Sequence, residues 1–394
     1  MLRSAQSVAT AIAAVSLIAG CGTPAARNTV NNTVNSTRQA VNPVPSVSKG
    51  SPVKPPVHRK LRVIAFYDQT MSSVAPDPFT LVKAHPGLVD YLSPFWYEVT
   101  PTGAVTTKPE GNAAALARQD HLAVMPLFNN SGGNDAVLHQ AATRTAAVKN
   151  IVSLVTKNQY AGVNIDFQLL KSSDRQDLTL FMQQLYQAMP NGKVISMSVV
   201  PLTSQNGQRS AYDYAALDKV LSAVVLMAYD LHGDGTAPGP VSPYAWVSQS
   251  ISQAIKDGIS PSKLYLGIAN YGYLWTAGST KATTIPLKVM YQHKYGSFTW
   301  NPTYKEAYDR YTSGGVSHII WFVSDRAAAD RIRLAEQNHL AGVAFWRIGY
   351  EDARWWNTVA SAIGNGKATP ATPAGVKHQH HWPPKTSPQH KKTS

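Results

Sequence analysis

Eight short apolar runs between residues 61 and 365 alternate with segments of helical periodicity, and this alternation predicts an α/β fold, a TIM (β/α)8 barrel. Two other observations narrow the reading. The span, roughly 300 residues, suits one barrel carrying an insertion. The chain on either side of it contains no Asp or Glu. Those flanks, 1–60 and 366–394, are rich in Pro, Thr, Asn, Ser and Lys. Such compositions bury too little apolar surface to offset chain entropy, so disordered N- and C-terminal arms are expected.

Taken from the N-terminus, residues 1–20 read as a processing signal. Arg3 supplies a positive start, and residues 8–19 form an apolar stretch too short for a stable spanning helix. Leu17-Ile18-Ala19-Gly20-Cys21 resembles a bacterial lipobox, in which the cysteine becomes the lipidated mature N-terminus. Cys21 is the sole cysteine of the chain, so no disulfide framework is possible. Residues 21–60 then read as a disordered tether, its second half stiffened by Pro43, Pro45, Pro52, Pro55 and Pro56. The expected location is extracytoplasmic, lipid-anchored to the cell membrane, a spore being one setting.

The charge of +14 would suit a nucleic-acid partner were it spread over the barrel, but twelve of the 36 Lys and Arg lie in the two arms. That leaves 24 basic against 22 acidic residues between them. No nucleic-acid partner is expected; basic arms on a nearly neutral domain suit an anionic cell-wall polymer or membrane surface.

The barrel strands are expected at 61–67, 89–97, 122–128, 162–167, 194–200, 223–228, 264–269 and 341–346. Single helices are expected over 136–157 and 174–189, the second capped around Ser173-Asp174. The seventh connection is too long for one helix. Its density of Tyr, Trp, Gly and Thr over about 271–323 predicts a small β-rich insertion beside the mouth. Residues 366–394 form a basic tail rich in His and Pro. Its His378, His380, His381 and His390 lack the Cys or paired carboxylates of a structural metal site, and no metal or cofactor is expected.

Active sites in such barrels sit at the C-terminal strand ends, and several of those ends share a pattern here. Strand four reads Ala161-Gly162-Val163-Asn164-Ile165-Asp166-Phe167-Gln168, strand six ends Met227-Ala228-Tyr229-Asp230, strand seven runs into Asn270-Tyr271, and strand eight reads Gly342-Val343-Ala344-Phe345-Trp346-Arg347 and continues to Glu351-Asp352. Together these resemble glycoside hydrolase family 18, the chitinase-like barrels, and most closely its branch of spore-cortex-lytic N-acetylglucosaminidases. In that family strand four reads Asp-Gly-x-Asp-x-Asp-x-Glu. This chain keeps the innermost Asp as Asp166 and replaces the terminal Glu with Gln168.

The resemblance implies the roles. The family is substrate-assisted: the sugar's N-acetyl oxygen is the nucleophile, the strand-four Glu protonates the leaving oxygen, the preceding Asp orients the acetamido group and the strand-six Tyr binds its carbonyl. Asp166 and Tyr229 would keep those positions, with Asn164, Asp230, Tyr271 and Trp346 as substrate-binding residues. Strand periodicity puts Asn164, Asp166 and Gln168 on one inward face. A primary amide can donate an N–H but cannot release a proton near neutral pH, so Gln168 is a degenerate acid position. The expected function is binding of a glycan with N-acetylglucosamine units, of peptidoglycan or chitin type, with hydrolysis lost or much reduced. Two alternatives stay open: an active N-acetylglucosaminidase with a displaced acid drawn from Asp68, Glu98 or Asp230, and a non-catalytic spore-envelope or cell-wall scaffold.

Overall fold

The computed structural model describes residues 61–68, 78–108, 113–201, 208–292 and 298–365. The expected leader and tether, Cys21 and the His/Pro-rich C-terminal stretch lie outside them. In chain order the elements are β1 (Arg62–Tyr67), α1 (Pro78–Lys83), β2 (Tyr91–Val99), β3 (Val105–Thr107), α2 (Ala113–Gln119), β4 (Ala123–Val124), β5 (Leu127–Asn129), α3 (Ala136–His139), α4 (Ala141–Lys157), β6 (Gly162–Asp166) and α5 (Arg175–Ala188). They continue with β7 (Val194–Val199), α6 (Tyr214–Asp218), β8 (Ala223–Leu226), α7 (Tyr244–Lys256) and β9 (Leu264–Ala269). The insertion follows as β10 (Tyr271–Thr276), β11 (Ala282–Pro286), α8 (Leu287–Tyr291), β12 (Thr299–Asn301), β13 (Glu306–Ser313) and β14 (Val316–Phe322), and the chain closes with α9 (Asp325–Gln337), β15 (Gly342–Trp346) and α10 (Ala353–Asn365).

β1 pairs in parallel with both β2 and β15, and the order β15, β9, β8, β7, β6, β5, β2 completes the ring. This is the parallel eight-position barrel that the sequence predicts. The third position is split into β4 and β5, which leaves residues 125 and 126 between the two pairings with β2. Gly162 and Gly342 open their strands where neighbours press closest: a Cβ would lie 2.1 Å from the Val194 carbonyl oxygen and 2.2 Å from that of Arg62 respectively.

Burial explains the strand sequences. β1, β6, β8 and β9 are buried over nearly their whole length, as expected for parallel strands covered on both faces. The barrel interior is divided. One side is apolar, with Ile64, Phe66, Phe95, Leu127, Val225 and Tyr265. The other carries Asn164, whose amide donates to Ser196 Oγ at 3.0 Å and accepts from Ser198 Oγ at 3.0 Å.

The expected single helix over 136–157 is broken at Gln140, whose backbone is extended. The break persists because Thr143 Oγ1 donates to the carbonyls of Val137 and Gln140, at 2.9 Å each, and the Arg144 guanidinium donates to that of Leu138. At α5 the expected side-chain cap is absent. Asp174 instead turns back to accept from the Lys171 backbone N–H at 2.7 Å, closing the preceding 3-10 turn.

The insertion is a five-stranded antiparallel sheet in the order β11, β10, β14, β13, β12. It is seated on the barrel by a fully buried ion pair. Glu306 of β13 accepts from the Val241 and Ser242 backbone N–H groups at 2.8 and 2.5 Å and from Arg331 of α9 at 3.2 Å. Arg331 also donates to the Lys305 carbonyl at 2.7 Å, and Lys305 and Arg326 lie over the rings of Tyr244 and Trp300 at 3.6 and 4.0 Å.

Candidate functional site

The C-terminal end of β6 carries Asp166 pointing into the barrel mouth, 7% exposed. Gln168 lies two residues on, outside the strand proper, and its Nε2 donates to both Asp166 oxygens, at 2.8 and 3.0 Å. An ionised carboxylate only accepts, so the amide nitrogen faces it. Gln168 is itself held by Asn130 at the end of β5. The Asn130 side chain accepts from the Gln168 N–H at 2.9 Å and donates to its carbonyl at 2.9 Å. Burial pushes the Asp166 carboxyl up to about 6, with the Gln168 hydrogen bond acting against the rise. Among the described residues no cation neutralises it, and the group is kept ionised near neutral pH chiefly by one amide.

Tyr229 follows β8 and faces the same space. Its ring is accommodated by the bare backbone of β9, because a Cβ on Gly267 would lie 2.9 Å from it. Burial together with the charges of Asp230 and Asp166 raises its pKa well above that of an ordinary phenol, so the hydroxyl stays protonated. Among the described residues that hydroxyl has no hydrogen-bond partner, which leaves it available to a ligand carbonyl.

Asp230 adopts a left-handed backbone, φ 60°, and its Oδ1 accepts from Tyr271 at 2.7 Å and Tyr273 at 3.0 Å. Dense surroundings push its carboxyl up to about 6, with the two tyrosine hydrogen bonds opposing. The residue's own surface is exposed, so solvent screens this carboxylate far more than it does Asp166.

Trp346 ends β15, half-buried, with a cis peptide to Arg347. Its ring rests on Phe66 at 5.5 Å and meets Phe95 edge-on at 6.5 Å. Behind it Asn270 clamps the β15 turn: it accepts from the Arg347 N–H at 2.7 Å and donates to the Arg347 carbonyl and to Glu351, both at 2.7 Å. Arg347 forms an ion pair with Asp68 and donates to the Tyr350 hydroxyl at 2.7 Å. Glu351, buried and raised to about 7 by desolvation, also accepts from the Gly349 and Tyr350 N–H groups and from the Trp356 indole.

The mouth therefore gathers Asp166, Gln168, Tyr229, Asp230 and Trp346 on the strand ends. Two expected binding residues are displaced. Asn164 does share the inward face of β6, but it is fully buried and its amide is consumed by Ser196 and Ser198, so it offers nothing to a ligand. Tyr271 is 3% exposed and donates to Asp230, which makes it a support behind the wall. Asn130 escaped the sequence reading, although it sits just past the end of β5, where a side chain can reach the mouth. A cavity of about 360 Å³ is lined by Tyr91, Ala123, Gly192 and Lys193 at the opposite end of the barrel. Asp135, His139 and Asp174 converge as metal ligands might, but the Lys171 ammonium already lies 2.6 Å from Asp135 and the group is an ion-pair network.

Comparison with known proteins bears on the fold and the family. The cortical fragment-lytic enzyme of Bacillus anthracis is 24% identical over 320 residues, which cover 76% of this chain and 74% of that one. The uncharacterized glycosylase YvbX of Bacillus subtilis is 26% identical over 240 residues, covering 57% of this chain and 67% of its own. The crystal structure of the Bacillus cereus spore cortex-lytic enzyme SleL superposes with a TM-score of 0.69 at 24% identity, covering 77% of this chain and 74% of that one, which speaks to the fold. The pattern of the glycosyl hydrolases family 18 matches residues 63–351, nearly the whole barrel, and the chain belongs to that family.

Proposed function

We propose that the barrel mouth binds a glycan containing N-acetylglucosamine and hydrolyses it poorly or not at all. The observation that carries this reading is the Gln168 amide donating to both oxygens of Asp166 at the position of the general acid. Asp166 accepts the sugar's acetamido N–H, Tyr229 donates to the acetamido carbonyl, and Trp346 lies beneath the ring. Those contacts orient the acetamido oxygen toward the anomeric carbon. Departure of the glycosidic oxygen then lacks a proton donor, and general acid catalysis is worth roughly 10² to 10⁴-fold.

The displaced-acid reading finds little support. Asp68 is paired with Arg347, Glu98 accepts from Ser131 Oγ at 2.5 Å, and Asp230 carries two tyrosine hydrogen bonds. The similarity to cortical fragment-lytic enzymes favours peptidoglycan as the glycan and an extracytoplasmic setting. In this reading Cys21 carries a lipid anchor and the basic arms hold an anionic wall polymer. Cys21→Ser is expected to move the protein from the membrane fraction to the soluble one, and an unchanged distribution would remove the anchor from the proposal.

The decisive experiment is Gln168→Glu. Turnover of an N-acetylglucosamine oligomer is expected to rise by about 10²-fold or more, and less with an activated aryl leaving group that needs little protonation. Strong hydrolysis by the unaltered protein, insensitive to Gln168→Glu and abolished at Glu98, Asp68 or Asp230, would replace this reading with the displaced acid. Failure of the intact protein to bind either N-acetylglucosamine oligomers or peptidoglycan strands would favour the scaffold.

A further inference from the structure

Lys108 ends the β2–β3 hairpin at the rim of the mouth. Its backbone N–H donates to the Trp96 carbonyl at 2.7 Å, and its ammonium lies 3.6 Å from the centroid of Phe95, the ring that also meets Trp346. The residue is half-buried. Two carboxylates are near enough to be felt, but both are committed elsewhere: Asp68 to Arg347 and Glu98 to Ser131. No hydrogen bond or ion pair holds the Lys108 ammonium among the described residues. Burial pulls its pKa below the ordinary lysine value, with Asp68 and Glu98 opposing. The rim of the cleft thus presents a partly desolvated cation that among the described residues is in direct contact with a ring face and with no hydrogen-bond or ion-pair partner, an arrangement completed by an anion from outside.

A chitin-type glycan carries no anion to offer. N-acetylmuramic acid does, because it is N-acetylglucosamine bearing a lactyl ether whose carboxylate is free once the stem peptide has been removed. We propose that Lys108 receives this lactyl carboxylate and makes the mouth selective for peptide-stripped peptidoglycan strands over chitin. The inference rests on the glycan-binding reading of the same site. It also places the protein after an amidase reaction, since only hydrolysis of the lactyl–peptide amide exposes the carboxylate that Lys108 takes.

The test compares two oligosaccharides of equal length on the full chain at low salt, one of N-acetylglucosamine alone and one alternating it with N-acetylmuramic acid. The parent is expected to prefer the muramyl oligomer by about fivefold, as befits one partly shielded ion pair. Lys108→Gln should bring the ratio of the two affinities close to one, and Lys108→Arg should keep most of it. Converting the lactyl carboxylate to its methylamide should cost the parent the same preference, with no change to the protein. A preference that survives Lys108→Gln, or an amide that binds as tightly as the acid, overturns the assignment. Equal affinity of the parent for both oligomers overturns it while leaving the glycan site standing. Affinity for neither overturns the glycan site and this assignment together.

Discussion

Two groups of buried carboxylates in this barrel are treated in opposite ways. At the seam between barrel and insertion, Glu306 accepts from two backbone N–H groups and a guanidinium, and at the β15 turn Glu351 accepts from two N–H groups, an indole and an amide. At the mouth, Asp166 is nearly as buried but has a single side-chain partner among the described residues, the Gln168 amide. Fixed donors that fill a carboxylate's capacity make it a fastener. A carboxylate held by one amide, near a tyrosine hydroxyl that has no partner among the described residues, keeps capacity for a ligand. The two designs separate what holds the insertion on from what can bind.

The largest effect should come from breaking the fastener. Arg331→Ala leaves Glu306 as an unpaired charge in a fully buried site, and removing one member of such a pair costs about 3–5 kcal/mol. A midpoint loss of that size in denaturant unfolding, together with early protease cleavage in the insertion, is expected. A loss below about 1 kcal/mol, the worth of an exposed pair, would show that the seam relies on its aromatic contacts and would weaken the contrast with the mouth.

A middling effect is expected on the binding side. Trp346→Ala removes the ring that Phe66 and Phe95 support and should weaken oligosaccharide affinity by roughly 1–3 kcal/mol, the scale measured for stacking on protein aromatic rings. Calorimetric titration checks this. If affinity is unchanged while the melting temperature falls, Trp346 is a core ring and the cleft floor lies elsewhere.

How far the sequence reveals these two regions follows from the distances involved. The barrel was legible because each parallel strand is a continuous apolar run, and the insertion because its aromatics cluster within one connection. Asp166, Gln168 and Tyr229 were singled out by the resemblance of their strand ends to family 18, and the fold brings Gln168 to Asp166 and puts Tyr229 within reach of the Asp166 charge. The Glu306–Arg331 fastener was not, because its members lie on a strand of the insertion and a helix after it, and no periodicity links them. Asn164 shows the limit of alternation, which assigns a face but no depth along the barrel axis. Two serines on β7 then decide that it is interior. The break at Gln140 escaped helical periodicity because side chains further along satisfy the carbonyls it frees.

The smallest effect concerns the pH at which the mouth works. Burial raises Asp166 from an ordinary 3.8 to about 6, so the folded state holds a proton that the unfolded chain releases. The sign follows: this group's contribution to stability is fully present below about pH 4 and is lost as pH rises through 6. Asp166→Asn has no proton to lose there. The melting temperature of the variant relative to the parent should therefore climb between pH 4 and 6 and level off above, by about 2–4 °C. Glycan affinity should run the other way, rising across the same interval as the carboxylate ionises and can accept the acetamido N–H. Opposed slopes for stability and binding would mark Asp166 as a group whose charge is maintained for a ligand at the fold's expense. Flat behaviour of both in the parent would mean that the Gln168 amide and solvent already keep Asp166 ionised throughout, and that it differs less from Glu306 and Glu351 than its sparse hydrogen bonding implies.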